Sequence, residues 1–170
     1  IGSGVAEEYH LRWFSEYLDP ELDVHVIPQS STMLGLAVAG PKSRELMQKV
    51  SPYDFSNDYF RFMEMKQVSV GLVECLVGRV SYTGDLGYEI YTDAMDQRSL
   101  WDALWKQGQK HGMRPFGMRA MMSLRLDKFF GSWLNEFSPD YTPAETGMDR
   151  FIAFEKKADF IGRTAAEAER

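Results

Sequence analysis

Cysteine is almost absent from this sequence. Cys75 is the single one in 170 residues, so no disulfide can close within the chain. It stands inside Leu72-Val73-Glu74-Cys75-Leu76-Val77, where a buried, inert strand thiol is the expected reading. Histidine is also scarce. His10, His25 and His111 lie far apart with no ligand spacing, and no metal site is expected. Long apolar runs are missing. The longest, Met33–Ala39, falls far short of the ~20 residues that a membrane helix needs, so no membrane partner is expected. There is no excess of positive charge. The formal net charge is −6, which argues against non-specific binding to nucleic acid or to an anionic membrane. No Gly-x-Gly-x-x-Gly opens a helix after a strand, and no strand–helix–strand repeat is visible, so a dinucleotide fold is not expected. Internal repeats and low-complexity tracts are lacking as well.

What remains is the composition of a globular domain with a real core. Apolar residues make up 44% and charged residues 26%, outside the range of disordered chains. Ile1 is not a natural initiator, and the chain is expected to be a fragment. No signal-peptide pattern is present, so a cytoplasmic location is expected, or the mitochondrial matrix for a eukaryotic source.

Alternating short elements run through the first two-thirds. Val5, Tyr9, Trp13 and Tyr17 recur every four residues and predict one face of a helix over 5–18, with Trp13 expected at least partly buried. Asp19-Pro20 ends it. Residues 24–27 and 33–39 predict two strands. Gly40-Pro41 opens a helix whose buried side is Leu46, Met47 and Val50. Residues 60–70 and 72–82 read as β-rich, and 88–92 as a further strand. Asp93 is a candidate cap for a helix near 96–110, in which Leu100, Trp101, Leu104 and Trp105 form an apolar stripe assigned to the core. The pattern predicts an α+β fold, a mainly antiparallel sheet flanked by helices. The core is expected over 1–115. Residues 116–170 are expected to add a helix, with Ala120, Leu124 and Met121 inward, and then an irregular wrapping segment.

The most informative stretch is Tyr82-Thr83-Gly84-Asp85-Leu86-Gly87-Tyr88-Glu89-Ile90. Two glycines sit in a turn between apolar, β-favouring runs, and at least one is expected at positive φ. Glu89 places a carboxylate between Tyr88 and Ile90. Fixed near a tyrosine hydroxyl, it suits recognition of a flat, donor-rich ring. The plain alternative is that Glu89 faces solvent and Tyr82 simply packs.

This segment resembles the glycine-rich signature of the tetrahydrofolate-dependent aminomethyltransferase (glycine-cleavage T-protein) family. The likeness extends to Leu36-Ala37-Val38-Ala39-Gly40-Pro41, Ser123-Leu124-Arg125-Leu126-Asp127-Lys128, Thr142-Pro143-Ala144-Glu145-Thr146-Gly147 and Asp159-Phe160-Ile161-Gly162-Arg163. These stand in family order at family spacing over roughly 32–163, which makes the set far more specific than any one motif. Leu86 in the turn, Lys128, Trp133 and Ser138–Pro143 resemble the folate-binding halves of the dimethylglycine and sarcosine dehydrogenase or oxidase flavoenzymes most closely.

The resemblance implies the folate-binding fold in partial form and a role in one-carbon metabolism. It implies tetrahydrofolate as cofactor and a methylated-amine or aminomethyl donor as the other small-molecule partner. In the flavoenzyme branch an FAD domain elsewhere in the polypeptide supplies the donor. The family's folate-contacting Tyr and Glu, seven apart across the glycine hairpin, carry over to Tyr82 and Glu89. The family's key aspartate would lie upstream of residue 1, so no catalytic residue is assigned within the chain. Its C-terminal β-barrel is also absent. The T-protein branch has an arginine where this chain has Met121; Arg119 and Arg125 are nearby and read as surface or structural charges. The alternative is a non-catalytic folate-binding or structural/assembly module of the same fold. The Lys-x-Cys-Tyr-x-Gly-Gln-like signature of such relatives is missing here.

Overall fold

The computed structural model describes residues 4–170. They form two compact units: Glu8–Phe130, and Gly131–Arg170 with the N-terminal residues up to Glu7. The larger unit holds the sheet and its helices. In chain order these are α1 (Glu7–Tyr17, whose first residue belongs to the other unit), β1 (Met33–Ala39), α2 (Ser43–Val50), β2 (Met65–Val70), β3 (Val73–Gly78), β4 (Gly87–Asp93), α3 (Gln97–Gly108) and α4 (Met118–Leu124). The fold is α+β. Its four strands lie in the order β1-β4-β3-β2, and every pairing is antiparallel.

Strand pleating divides the side chains between two faces. On one face Val38, Val68, Val70, Val73, Cys75, Val77, Tyr88 and Ile90 meet Leu46, Met47 and Val50 of α2 and Leu100 and Leu104 of α3. Phe55 and Phe60 join this core and pack against Tyr88, edge-on at 5.3 Å and tilted at 5.9 Å between ring centroids. Burial of these groups drives the fold, at about 25 cal/mol per Å² of apolar surface. The helical spacing of Leu46, Met47 and Val50, and of Leu100 and Leu104, thus identified the buried faces of α2 and α3.

Several expectations fail for identifiable reasons. The helix expected over 5–18 exists as a 3-10 turn, Gly4–Ala6, followed by α1. Its aromatic face is not buried: Trp13 is 39% exposed, and no residue of α1 itself is buried. Trp13 instead stacks on Tyr17 of its own helix, 4.9 Å between centroids. Residues 24–27 form no strand, because a strand needs a ladder partner and β1 is hydrogen-bonded to β4 alone. The strand expected from residue 60 starts at Met65, after a turn in which Met63 adopts φ 68°. Trp101 is also exposed rather than core. It stacks flat on half-buried Trp105, one turn along α3, at 5.7 Å and 10°. Asp93 precedes a 3-10 turn, Ala94–Asp96, without a side-chain capping bond. In α4, Ala120 and Leu124 face outward, and Met121 and Met122 are half-buried.

The smaller unit is irregular. It contains a 3-10 turn, Asp149–Phe151, and a short helix, α5 (Arg163–Ala168). Arg163 ties it together, donating to the carbonyls of Phe154, Lys156 and Ala158 and pairing with Glu167. Loops of this kind are held by polar contacts to backbone rather than by a core. Among the described residues, no helix is long and apolar enough to cross a membrane.

Candidate functional site

The second face of the sheet carries Glu89. Tyr88, Ile90 and Thr92 of β4 point into the core and are buried, so Glu89 and Tyr91 point the opposite way and are half-buried. Glu89 is flanked in register by Ala37 of β1 and Gly78 of β3. Tyr91 is flanked by Gly35 and Leu76. Three of these four neighbours have a methyl group or no side chain at all. The carboxylate therefore stands among small neighbours on a half-exposed face.

One oxygen of that carboxylate is already held. The Tyr91 hydroxyl donates to Glu89 Oε2 at 2.5 Å. Burial, helped by this bond to an anion, pushes the Tyr91 phenol up to about 12. Glu89 Oε1 takes no hydrogen bond from the described residues. A carboxylate offers about four acceptor positions, so most of its capacity faces the open side.

Tyr82 lies in the connection between β3 and β4, which spans residues 79–86 rather than the tight turn expected. β3 stops at Gly78 because the chain there turns toward the residues before β2. Arg79 N–H donates to the Glu64 carbonyl, and Met63 N–H donates to the Arg79 carbonyl. Gly84 sits within this connection at φ +83°. A Cβ on it would come within 2.3 Å of the Lys128 side chain. Gly87 opens β4, where a Cβ would meet the Val38 carbonyl at 2.9 Å as well as Ser81. The two glycines thus serve different needs, one conformational and one spatial. Between them, the Leu86 carbonyl accepts from Gly40 N–H at 2.8 Å and from the buried Ser43 hydroxyl at 3.0 Å. These bonds anchor the loop to the start of α2.

Tyr82 is half-buried and stacks on Phe130, with centroids 6.2 Å apart and planes 14° from parallel. Phe130 is fixed in turn by Arg125, which is 5% exposed and donates to the Phe130 carbonyl at 2.5 Å. Arg125 is therefore a buried structural charge, whereas Arg119 is exposed. The two residues singled out from the sequence share one β-hairpin but have different anchors. Glu89 is held within the sheet by Tyr91, and Tyr82 stacks on Phe130. Sequence reasoning missed both Tyr91 and Phe130. Tyr91 had a usable signal, since it follows Glu89 by two and must share its face. Phe130 had none.

Cys75 takes no part in this face. It is buried in β3 on the core side, and burial pushes its thiol up to about 11. A groove of about 650 Å³ runs beside α1, lined by Leu11, Phe14, Leu18, Leu22, Val24 and neighbouring residues. A single stretch of chain builds it, so no polar group there is positioned by the sheet.

Comparison with known proteins converges on one family. The model of the GCVT N-terminal domain matches residues 1–156. Mitochondrial dimethylglycine dehydrogenase of Homo sapiens is 39% identical over 165 residues, covering 96% of this chain and 19% of that protein. The aminomethyltransferase of Clostridium botulinum (strain Okra / Type B1) is 33% identical over 156 residues, covering 91% of this chain and 41% of that protein. Among solved structures, the heterotetrameric sarcosine oxidase from Corynebacterium sp. U-96, in complex with pyrrole 2-carboxylate, is 18% identical with a TM-score of 0.47. That match covers 55% of this chain and 46% of the other. The chain spans about a fifth of the length of the dehydrogenases it matches and about two-fifths of the aminomethyltransferase.

Proposed function

Because the chain belongs to the GCVT N-terminal domain family, we propose that it forms part of a tetrahydrofolate-dependent enzyme of the aminomethyltransferase type. The reaction moves a one-carbon unit from a methylated amine or aminomethyl donor to tetrahydrofolate. The similarity to dimethylglycine dehydrogenase favours fusion to an FAD amine dehydrogenase, and a mitochondrial matrix location if the source is eukaryotic. In this reading Tyr82 and Glu89 line the pterin site.

The observation that carries the reading is the carboxylate of Glu89. It is half-buried on an uncovered sheet face, among small neighbours, with Oε1 open. The pterin edge presents an amide N–H beside an amino group. Two parallel N–H donors match the two oxygens of one carboxylate, and such charge-assisted pairs are the strong ones. Oε2 keeps a second acceptor position after taking the Tyr91 hydroxyl, so the two demands are compatible. Tyr82, already stacked on Phe130, supplies an aromatic wall or a further hydroxyl. The residues present therefore fit the cofactor, whose contribution when bound is a nucleophilic acceptor for the one-carbon unit. The part assigned to this chain is to bind and orient.

The test is calorimetric titration of tetrahydrofolate into the full-length protein and its Glu89→Gln variant. The amide sets a donor against a donor, and binding is expected to weaken by about 2–4 kcal/mol. Equal affinity removes Glu89 from the site. A second reading, a folate-binding module without catalysis, draws on Met121 in place of the arginine of the T-protein branch. Tight binding without any change in the partition between methylene-tetrahydrofolate and free formaldehyde would favour it.

A further inference from the structure

Tyr91 belongs to no motif, and nothing in the proposed role of Glu89 requires it. Its environment is nevertheless built. Across the β1–β4 pair, Tyr91 stands opposite Gly35. A Cβ on Gly35 would lie 3.1 Å from Tyr91 Cε1 and 3.2 Å from Cδ1, tighter than ordinary side-chain packing. The ring therefore lies across β1 in the space that the missing side chain leaves. Gly35 has an ordinary negative φ, so glycine is not needed there for backbone conformation. The space itself is what Gly35 contributes. From that seat the hydroxyl reaches along its own strand to Glu89 Oε2, two residues away on the same face. An unsupported glutamate would have several rotamers open to it above Ala37 and Gly78.

We propose that Tyr91 is a positioning residue for the Glu89 carboxylate, and that Gly35 is the slot that seats it. Resting on the reading that Glu89 faces the pterin, the proposal assigns Tyr91 no contact with the ligand. Its hydroxyl holds one carboxylate oxygen and so turns the other outward, ready for paired N–H donors. Ordering the carboxylate before the ligand arrives removes an entropic cost that binding would otherwise carry. The chemical class of ligand follows from this geometry: a flat heterocycle with two adjacent N–H donors on one edge.

A double-mutant cycle on the full-length protein tests it, with tetrahydrofolate as the titrant. Tyr91→Phe keeps the ring over Gly35 and removes only the hydroxyl. Affinity is expected to fall about three- to tenfold, the range of one ordinary hydrogen bond. In the Glu89→Gln background the same substitution is expected to change affinity less than about twofold, because its effect passes through Glu89. A readout without folate accompanies it: the side-chain carboxylate ¹³C resonance of Glu89 is expected to move in Tyr91→Phe. It is also expected to move in Gly35→Ala, which crowds the ring while keeping the hydroxyl. If Glu89→Gln weakens binding and Tyr91→Phe does not, the positioning role fails and the proposed function stands. If Glu89→Gln leaves binding unchanged, the pterin reading itself falls, and this inference with it. Additive losses in the double variant, or an unmoved Glu89 resonance in both single variants, overturn the claim that Tyr91 acts through the carboxylate.

Discussion

The two faces of the sheet are built from the same strands and differ in nearly everything else. On the core face Tyr88 and Ile90 are fully buried, with apolar partners from α2, α3 and the Phe55–Phe60 pair. On the other face, one residue along, Glu89 and Tyr91 are half-buried, and Leu76, Met65, Gly35 and Ala37 are exposed. The core face is specified by volume, and the one hydroxyl that Tyr88 carries into it is buried without a hydrogen-bond partner among the described residues. The open face is specified by a register of small residues around one carboxylate. Core burial and a half-exposed carboxylate thus occupy alternate residues of a single strand, β4.

The contrast breaks first under truncation. Ile90→Ala on the core face is expected to cost about 2–5 kcal/mol, the lost transfer energy plus an unfilled cavity. Leu76→Ala, on a neighbouring strand but facing outward, is expected to cost about 1 kcal/mol or less. Urea denaturation midpoints compare the two directly, and similar losses would show that the open face is packed after all.

A smaller effect sharpens the role of the connection that joins the faces. Gly84→Val combines a β-branched side chain with φ +83° and the Lys128 stem overhead. It is expected to cost about 1–3 kcal/mol, with Tyr82 losing its register on Phe130. Equilibrium unfolding gives the energy, and near-ultraviolet circular dichroism follows the aromatic change. Wild-type values for both would mean that the loop re-forms around valine.

The smallest expected effect is a pH dependence confined to alkaline solution. The folded state raises the Tyr91 phenol to about 12 from an ordinary 10, through burial first and the bond to Glu89 second. The neutral phenol is the favoured form. The stabilisation is therefore complete below pH 10 and is lost as pH rises through about 12. Tyr91→Phe should remove that part of the decline. Cys75, raised to about 11 from 9, adds a loss of the same sign over its own range in both proteins. The difference between the two stability profiles isolates Tyr91, and identical slopes above pH 10 would rule out its share.

Much of the core face was legible because periodicity reports it. Leu46, Met47, Val50, Leu100 and Leu104 sit at helical spacing and are all buried. The same logic misplaced Trp13 and Trp101, since an apolar stripe announces a preference for cover without supplying one. Residues 24–27 have strand-like composition but no partner, and pairing is a property of two segments, not one. On the open face, Glu89 stood out as a charge in an apolar run and Gly84 as a turn residue. Tyr82 entered through resemblance to a family. The link from Gly35 through Tyr91 to Glu89 was out of reach. It depends on a register that joins residues 35 and 91, far apart in the chain.

Among the described residues β1 is an edge strand, hydrogen-bonded only to β4, and the two meet across about fifty residues of sequence at Val38 and Tyr88. Edge strands open locally at a free-energy cost below that of global unfolding. Such an opening withdraws Gly35 and Ala37 together and lifts the seat from beneath Tyr91. On the proposed role of Tyr91, the order of the carboxylate then follows the fraying equilibrium of the outermost strand. The amide exchange rates of residues 35–39 measure that equilibrium without any ligand present.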